Sequence, residues 1–136
     1  FLVVQQCSTK DSLALLTNFG NLFVMKVFQL SPTSGFGEPV QKVFRFQDGE
    51  AIVAAFTTKG NEKAEQEILF FSRAGIGFRT VVDLYGETKK IGRRVARMAD
   101  GDKLSGAIPV TSKEFILVSR DGYGVGMKVD QVPVLS

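Results

Sequence analysis

The feature that most constrains this chain is that it repeats itself. Three segments follow one plan: Leu15-Leu16-Thr17-Asn18-Phe19-Gly20, Phe70-Phe71-Ser72-Arg73-Ala74-Gly75 and Leu117-Val118-Ser119-Arg120-Asp121-Gly122. In each, an apolar run ends on Thr or Ser, two residues follow, and a glycine turns the chain into another run. The glycines stand 55 and 47 residues apart. A second marker, Gln47-Asp48-Gly49-Glu50-Ala51-Ile52, returns 52 residues later as Ala99-Asp100-Gly101-Asp102-Lys103-Leu104. Asp-Gly between apolar runs is a strong hairpin signal, so both copies read as hairpin turns. Two markers in the same order at nearly one period argue for blade-like units of about 50 residues. The expected units are 1–62, 63–112 and 113–136, which makes two fairly complete repeats and the opening of a third. Such units cannot bury their faces alone. Two and a half blades do not close a ring, so either the parent protein is longer or the open edges pair with another copy.

Local composition agrees with an all-β fold of antiparallel blades. The apolar runs at 13–16, 21–30, 52–56, 68–71 and 115–118 are mostly short and rich in Val, Ile, Leu and Phe. Such runs suit strands better than helices. No segment carries a sustained helical stripe between caps. Residues 62–66 could form one helical turn, but their place between two strand signals favours a polar loop.

Absences remove much of enzymology. With 44% hydrophobic residues in 136, the chain can build a core, and global disorder is not expected. It has no histidine, hence neither the commonest metal ligand nor the commonest general base. The lone Cys7 cannot form an internal disulfide, has no activating partner in view, and reads as an apolar filler or surface thiol. No apolar run reaches about 18 residues, so no membrane span is expected. Phe1-Leu2-Val3-Val4 is too short for a signal peptide, and a start without Met reads as a fragment boundary or a processed end.

Charge is uneven. Arg73, Arg79, Lys89, Lys90, Arg93, Arg94 and Arg97 face only Asp83 and Glu87 in that stretch, a local +5 in a chain of net +3. Such a concentration suits a polyanion, although a solvated charged loop has the same composition. Gly122-Tyr123-Gly124-Val125-Gly126 resembles a phosphate loop in letters only. A cradle of that kind needs a helix N-terminus behind it, and residues 127–136 read as strand and loop, so a Gly-rich turn is the simpler account. Asp48/Glu50 and Asp100/Asp102 recur at equivalent places and read as polar hairpin tips, not as metal or acid–base pairs. The phenylalanines, among them Phe23, Phe44, Phe56, Phe70 and Phe78, read as core.

Taken together, these segments resemble the C-terminal β-pinwheel domain of type IIA topoisomerase A subunits, those of DNA gyrase and topoisomerase IV. Gly20-Asn21-Leu22-Phe23-Val24-Met25-Lys26-Val27-Phe28-Gln29-Leu30 is similar to the family's Gly turn, outward strand and lysine before a connecting loop. Ser34-Gly35-Phe36-Gly37-Glu38-Pro39-Val40 is similar to its Arg-Gly-x-Gly-x-Pro connection, with Ser34 where a basic residue often stands. Gly92-Arg93-Arg94-Val95 sits at the equivalent connection of the second unit, and Gly122-Tyr123-Gly124 is similar to a later turn. The family's turn is often followed by a Lys-Arg pair, of which only Arg79 remains, and Val125 and Gly126 fill those positions in the third unit. The Gln-Arg-Arg-Gly-Gly-Lys-Gly box of gyrase A subunits is absent. Both parent enzymes stay open on these residues.

The resemblance implies a non-catalytic segment that binds, bends or wraps duplex DNA without much regard to sequence. Its candidate contacts are Arg73, Arg79, Lys89, Lys90, Arg93, Arg94, Arg97, Lys26 and Lys42. It implies no cofactor in this segment, with ATP and Mg needed by the parent enzyme. It also implies as partners the remaining blades, the DNA-cleaving domain and an ATPase B-type subunit, in the bacterial cytoplasm at the nucleoid. The cleaving tyrosine belongs to another domain, so neither Tyr85 nor Tyr123 is expected to cleave DNA. The rivals are a propeller-like module that binds an acidic protein and a small β-barrel enzyme that uses Asp or Glu.

Overall fold

The computed structural model describes residues 3–59, 65–84 and 86–135. Most of residues 62–66 and Tyr85 therefore lie outside the described residues, although Glu65 and Gln66 open a strand. Among the described residues nine strands occur in chain order: β1 Ser12–Thr17, β2 Asn21–Lys26, β3 Ile52–Thr58, β4 Glu65–Ser72, β5 Gly77–Asp83, β6 Arg93–Arg94, β7 Leu104–Pro109, β8 Glu114–Val118 and β9 Gly124–Lys128. They form three antiparallel sheets, ordered β3-β1-β2-β6, β5-β4-β7 and β8-β9. No α-helix occurs among the described residues; three short 3-10 turns are the only helical pieces.

Each sheet is built on one of the three repeated hairpins. The register sets Leu15 opposite Phe23, Phe70 opposite Phe78 and Leu117 opposite Val125, the same pair in each repeat. The turn glycines Gly20, Gly75 and Gly122 all have positive φ, between 76° and 87°. The apolar run at 21–30 is not strand throughout, because Val27–Gln29 forms a 3-10 turn.

The sheets stack as blades. Ala14, Leu16, Leu22 and Val24 on one face of the first sheet pack against Ile68, Phe70, Phe78 and Val82 of the second. The opposite face of the second sheet puts Leu69 and Phe71 against Phe115, Leu117 and Val129 of the third unit. The outer face of the first sheet, with Leu15, Phe23 and Met25, is covered by Phe44, Val40 and Phe46 from its own unit. The first two sheets are thus covered on both faces. Alternate residues along a strand point to opposite faces, and here both faces are apolar. That explains why their apolar runs are continuous instead of alternating with polar residues.

The blades are interlocked by a crossover. After the second and third hairpins the chain leaves its own sheet and runs along the outer edge of the preceding blade. The Thr88 N–H donates to the Val24 carbonyl (3.1 Å), and the Leu135 N–H donates to the Arg79 carbonyl (2.8 Å). Val24 and Arg79 are 55 residues apart, and Thr88 and Leu135 are 47 apart, the spacings of the turn glycines themselves. β6 is the strand form of this crossover, pairing Arg93 with Leu22 and Arg94 with Asn21.

One expectation is corrected here. Neither Asp-Gly turn is the tip of a hairpin: the strands that follow, β3 and β7, pair with β1 and β4. One carboxylate of each turn, Glu50 and Asp102, reaches the neighbouring Gly-turn hairpin. Glu50 is buried and accepts from the Thr17 hydroxyl (2.6 Å), the Asn21 amide (2.8 Å) and the Gln47 N–H (2.8 Å). Asp102 plays the corresponding part against Ser72 and the Ala74 N–H (3.2 Å). A buried carboxylate needs several donors to be tolerated, and the turn supplies them.

Candidate functional site

The crossover decides where the cations go. Two glycines let it lie close to the first blade. A Cβ on Gly20 would sit 2.1 Å from the Ala96 carbonyl oxygen, and the Val95 and Ala96 N–H groups both donate to the Gly20 carbonyl (2.9 and 3.1 Å). A Cβ on Gly92 would come within 2.7 Å of the Phe23 ring. With the backbone pressed on Phe23, Lys89, Lys90, Arg93 and Arg94 are left exposed along the edge of β2. Cations from the second repeat therefore line the first blade.

Arg45 joins them, although sequence reasoning did not select it. Its N–H donates to the Lys90 carbonyl (2.8 Å), and the residue is exposed. Nothing in its local sequence marks it, because the contact spans 45 residues. The edge thus carries Arg45, Lys89, Lys90, Arg93 and Arg94. Some of this charge is already engaged: the Arg93 guanidinium donates to the Asp83 carbonyl, and Glu87 accepts from the Gln29 amide (3.2 Å) beside it.

The other candidates are dispersed. Arg73 is exposed on the second hairpin turn, where its N–H donates to the Lys103 carbonyl (2.8 Å). The Lys103 ammonium in turn lies 5.4 Å from the centre of the Phe19 ring. Arg97 is exposed just after the buried Ala96. Arg120 is exposed at the position of Arg73 in the third turn, and repeat alignment alone could have found it. Lys26 ends β2 and is half-buried, and Lys42 is exposed in an ion pair with Glu38 (3.8 Å). Arg79 differs from all of these. It is half-buried, paired with Glu67 at 2.7 Å, and its Nε donates to the Val132 carbonyl (2.9 Å).

The remaining readings resolve on geometry. Gly124 and Gly126 belong to a strand, so the Gly-rich segment presents no helix N-terminus. The Ser72 hydroxyl, followed by backbone N–H groups of Lys103, Ala74 and Arg73, holds the Asp102 carboxyl below the usual carboxylate range. Among the described residues, no group of three or more His, Cys, Asp or Glu is placed to hold a metal ion. Cys7 and Tyr123 are exposed. Among the described residues, no helix is long and apolar enough to cross a membrane.

Comparison with known proteins meets this geometry. The family model described as DNA gyrase C-terminal domain, beta-propeller, matches residues 11–59, 66–111 and 113–136. The chain belongs to this family. The gyrase A protein of Chlamydia muridarum is 30% identical over 134 residues, covering 95% of this chain and 16% of the relative. Its counterpart from Streptococcus pyogenes is 26% identical over 121 residues, covering 87% and 15%. The chain thus spans about one sixth of the length of these gyrase A proteins. Its fold is that of the C-terminal domain of DNA topoisomerase IV, with TM-score 0.77 and 22% identity over 99% of this chain and 43% of that one. The E. coli ParC C-terminal domain is similar at TM-score 0.71 and 15% identity, over 95% and 52%. The all-β, pinwheel-like fold and the family resemblance are borne out.

Proposed function

We propose that this family member forms part of the DNA-binding surface of a type II topoisomerase A subunit, either gyrase or topoisomerase IV. Duplex DNA lies along the outer edge of the first blade, and its phosphates meet Arg45, Lys89, Lys90, Arg93 and Arg94. The observation that carries this reading is the crossover, which gathers cations from two repeats on one exposed edge. Each neutralised phosphate releases condensed counterions, which favours binding without regard to sequence. Among the described residues there is no α-helix to enter a groove, so contacts with the backbone outweigh contacts with bases. Exposed cations on neighbouring turns, Arg73, Arg97 and Arg120, extend the path around the stack. Contacts along a curved rim offset a bending cost on the order of 1–6 kcal/mol for large bends. Arg79, Lys26 and Lys42 have lesser parts, since Arg79 and Lys42 already hold carboxylates and Lys26 is half-buried.

The segment contributes binding and bending to the parent enzyme rather than chemistry, and needs no cofactor of its own. Strand passage belongs to a DNA-cleaving domain and an ATP-hydrolysing B-type subunit, which together require ATP and Mg, in the bacterial cytoplasm. The test is a mobility-shift titration of duplex DNA over a salt series, with Lys89, Lys90, Arg93 and Arg94 replaced by Ala together. The variant should bind more weakly, and the slope of log affinity against log salt should flatten by about 3 to 4 units. A folded variant that binds with the original slope overturns the assignment.

A further inference from the structure

The strand that carries Arg93 and Arg94 is held from behind by a buried carboxylate on a different turn. Asn21 is the joint between them. Its backbone pairs with Arg94 in the β2–β6 ladder, and its side-chain amide donates to Glu50 (2.8 Å). The Thr17 hydroxyl braces both partners, since it donates to Glu50 (2.6 Å) and accepts the Asn21 N–H (3.3 Å). Gly20, next to Asn21 in the same turn, supplies the carbonyl that receives the Val95 and Ala96 N–H groups just past β6. Thr17, Asn21, Glu50 and Ala96 are all buried. With the Gly20 Cα packed so closely on the Ala96 backbone, a turn that shifts must carry the crossover with it.

Asn18 locks the same two turns from the other side. Its side chain accepts the Ala51 N–H (2.9 Å) and donates to the Gly49 carbonyl (2.9 Å). A buried polar network whose members are all satisfied is rigid. The second repeat has less of it. There the Asn18 and Asn21 positions hold Arg73 and Ile76, and the shorter Asp102 engages Ser72 and the Ala74 N–H. The fuller network belongs to the blade whose outer edge carries Lys89, Lys90, Arg93 and Arg94.

We propose that Glu50 is a positioning residue for the DNA-binding edge, a role that rests on the function proposed above. By holding Thr17 and Asn21 it fixes the Gly20 turn and the start of β2, and through them the course of Arg93 and Arg94. Long cationic side chains on a backbone already fixed have less freedom to lose when they meet phosphate. The sign of the effect is diagnostic. Glu50 is acidic, so electrostatics alone would have its removal strengthen binding to a polyanion. Positioning has its removal weaken binding.

Three variants separate these effects. Glu50→Ala removes the acceptor. Glu50→Gln removes the acidity but keeps one carbonyl oxygen for Thr17 and Asn21, giving up the Oε2 that receives the Gln47 N–H. Asn21→Ala cuts the strut with every charge retained, and carries the test should Glu50→Ala fail to fold. The first readout is amide exchange without DNA. In both Ala variants the Val95 and Ala96 N–H groups should exchange about tenfold faster, normalised to the β4 amides of the second blade. The second is the salt dependence of duplex binding. Both Ala variants should lose about 0.9 to 1.8 units of slope, one or two phosphate contacts, while Glu50→Gln keeps the unmodified slope. Exchange at Val95 and Ala96 that only tracks β4, or equal binding by Glu50→Gln and Glu50→Ala, overturns the proposal. A slope that flattens in the fourfold cation variant but not in the Ala variants removes the positioning role alone. A slope that moves in none of them defeats the DNA reading itself and this role with it.

Discussion

The Arg79 guanidinium and the Glu67 carboxylate meet at 2.7 Å across the β4–β5 pair. The register sets Leu69 opposite Arg79 and Val81 opposite Glu67, so the two charges are diagonal neighbours on one face. The same arginine donates from Nε to Val132, while its backbone bonds to Pro133 and Leu135. It therefore fastens the third unit's crossover to the second blade.

Replacing Arg79 with Ala should accordingly cost stability more than DNA affinity. The loss of a charge-assisted bond to Glu67 and of the bond to Val132 should lower the unfolding free energy by about 1–3 kcal/mol. Urea unfolding measures this, and the salt dependence of DNA binding should hardly move. An unchanged midpoint with a slope reduced by about 0.9 would make Arg79 a phosphate contact instead.

Glu50 offers a sharper contrast with its neighbour. Removing its side chain leaves the Thr17 hydroxyl, the Asn21 amide and the Gln47 N–H without their acceptor in a largely buried site. Glu50→Ala should destabilise by about 2–4 kcal/mol, whereas Asp48→Ala, in the exposed part of the same turn, should stay within about 0.5 kcal/mol. Equal small effects in denaturant would mean that both residues are solvated turn charges.

Arg45 tests whether the crossover edge acts as one surface. It belongs to the first repeat and is joined to the cationic run by the hydrogen bond from its N–H to the Lys90 carbonyl. If DNA follows this edge, Arg45→Ala should weaken binding and lower the salt slope by about 0.9, as one lost phosphate contact does. Binding indistinguishable from the unmodified chain would remove Arg45 from the surface.

How much of this was legible in the sequence depends on the range of each contact. The Gly20, Gly75 and Gly122 turns are local, and their period exposed both the repeat and the fold. The Asp-Gly turns were visible too, but not their role, since Thr17 and Glu50 are 33 residues apart and meet only after folding. The cations at 89–94 could be picked out as a run. That they lie on the first blade follows from the bond between Thr88 and Val24, which span 64 residues. Arg45 was missed for the same reason. Arg79 was selected by its charge, and the carboxylate that engages it sits on a neighbouring strand, where no local pattern points to it.

Asp102 ties the second turn to its blade in a way that pH can release. The Ser72 hydroxyl is the largest cause of its lowered pKa, and backbone N–H groups of Lys103, Ala74 and Arg73 add to it against a smaller upward push from burial. A carboxyl whose folded-state pKa lies below its unfolded value binds fewer protons when folded. Its contribution to stability is complete above the unfolded pKa and is lost as pH falls through the folded one. At neutral pH the contribution is therefore present, and acidification through the carboxylate range removes it. Ser72→Ala should raise the Asp102 titration midpoint, followed by carboxyl NMR, and reduce stability at neutral pH more than in acid. An unmoved midpoint would show that the backbone donors alone hold the carboxylate, and the difference between neutral and acid stability would then be the same in both proteins.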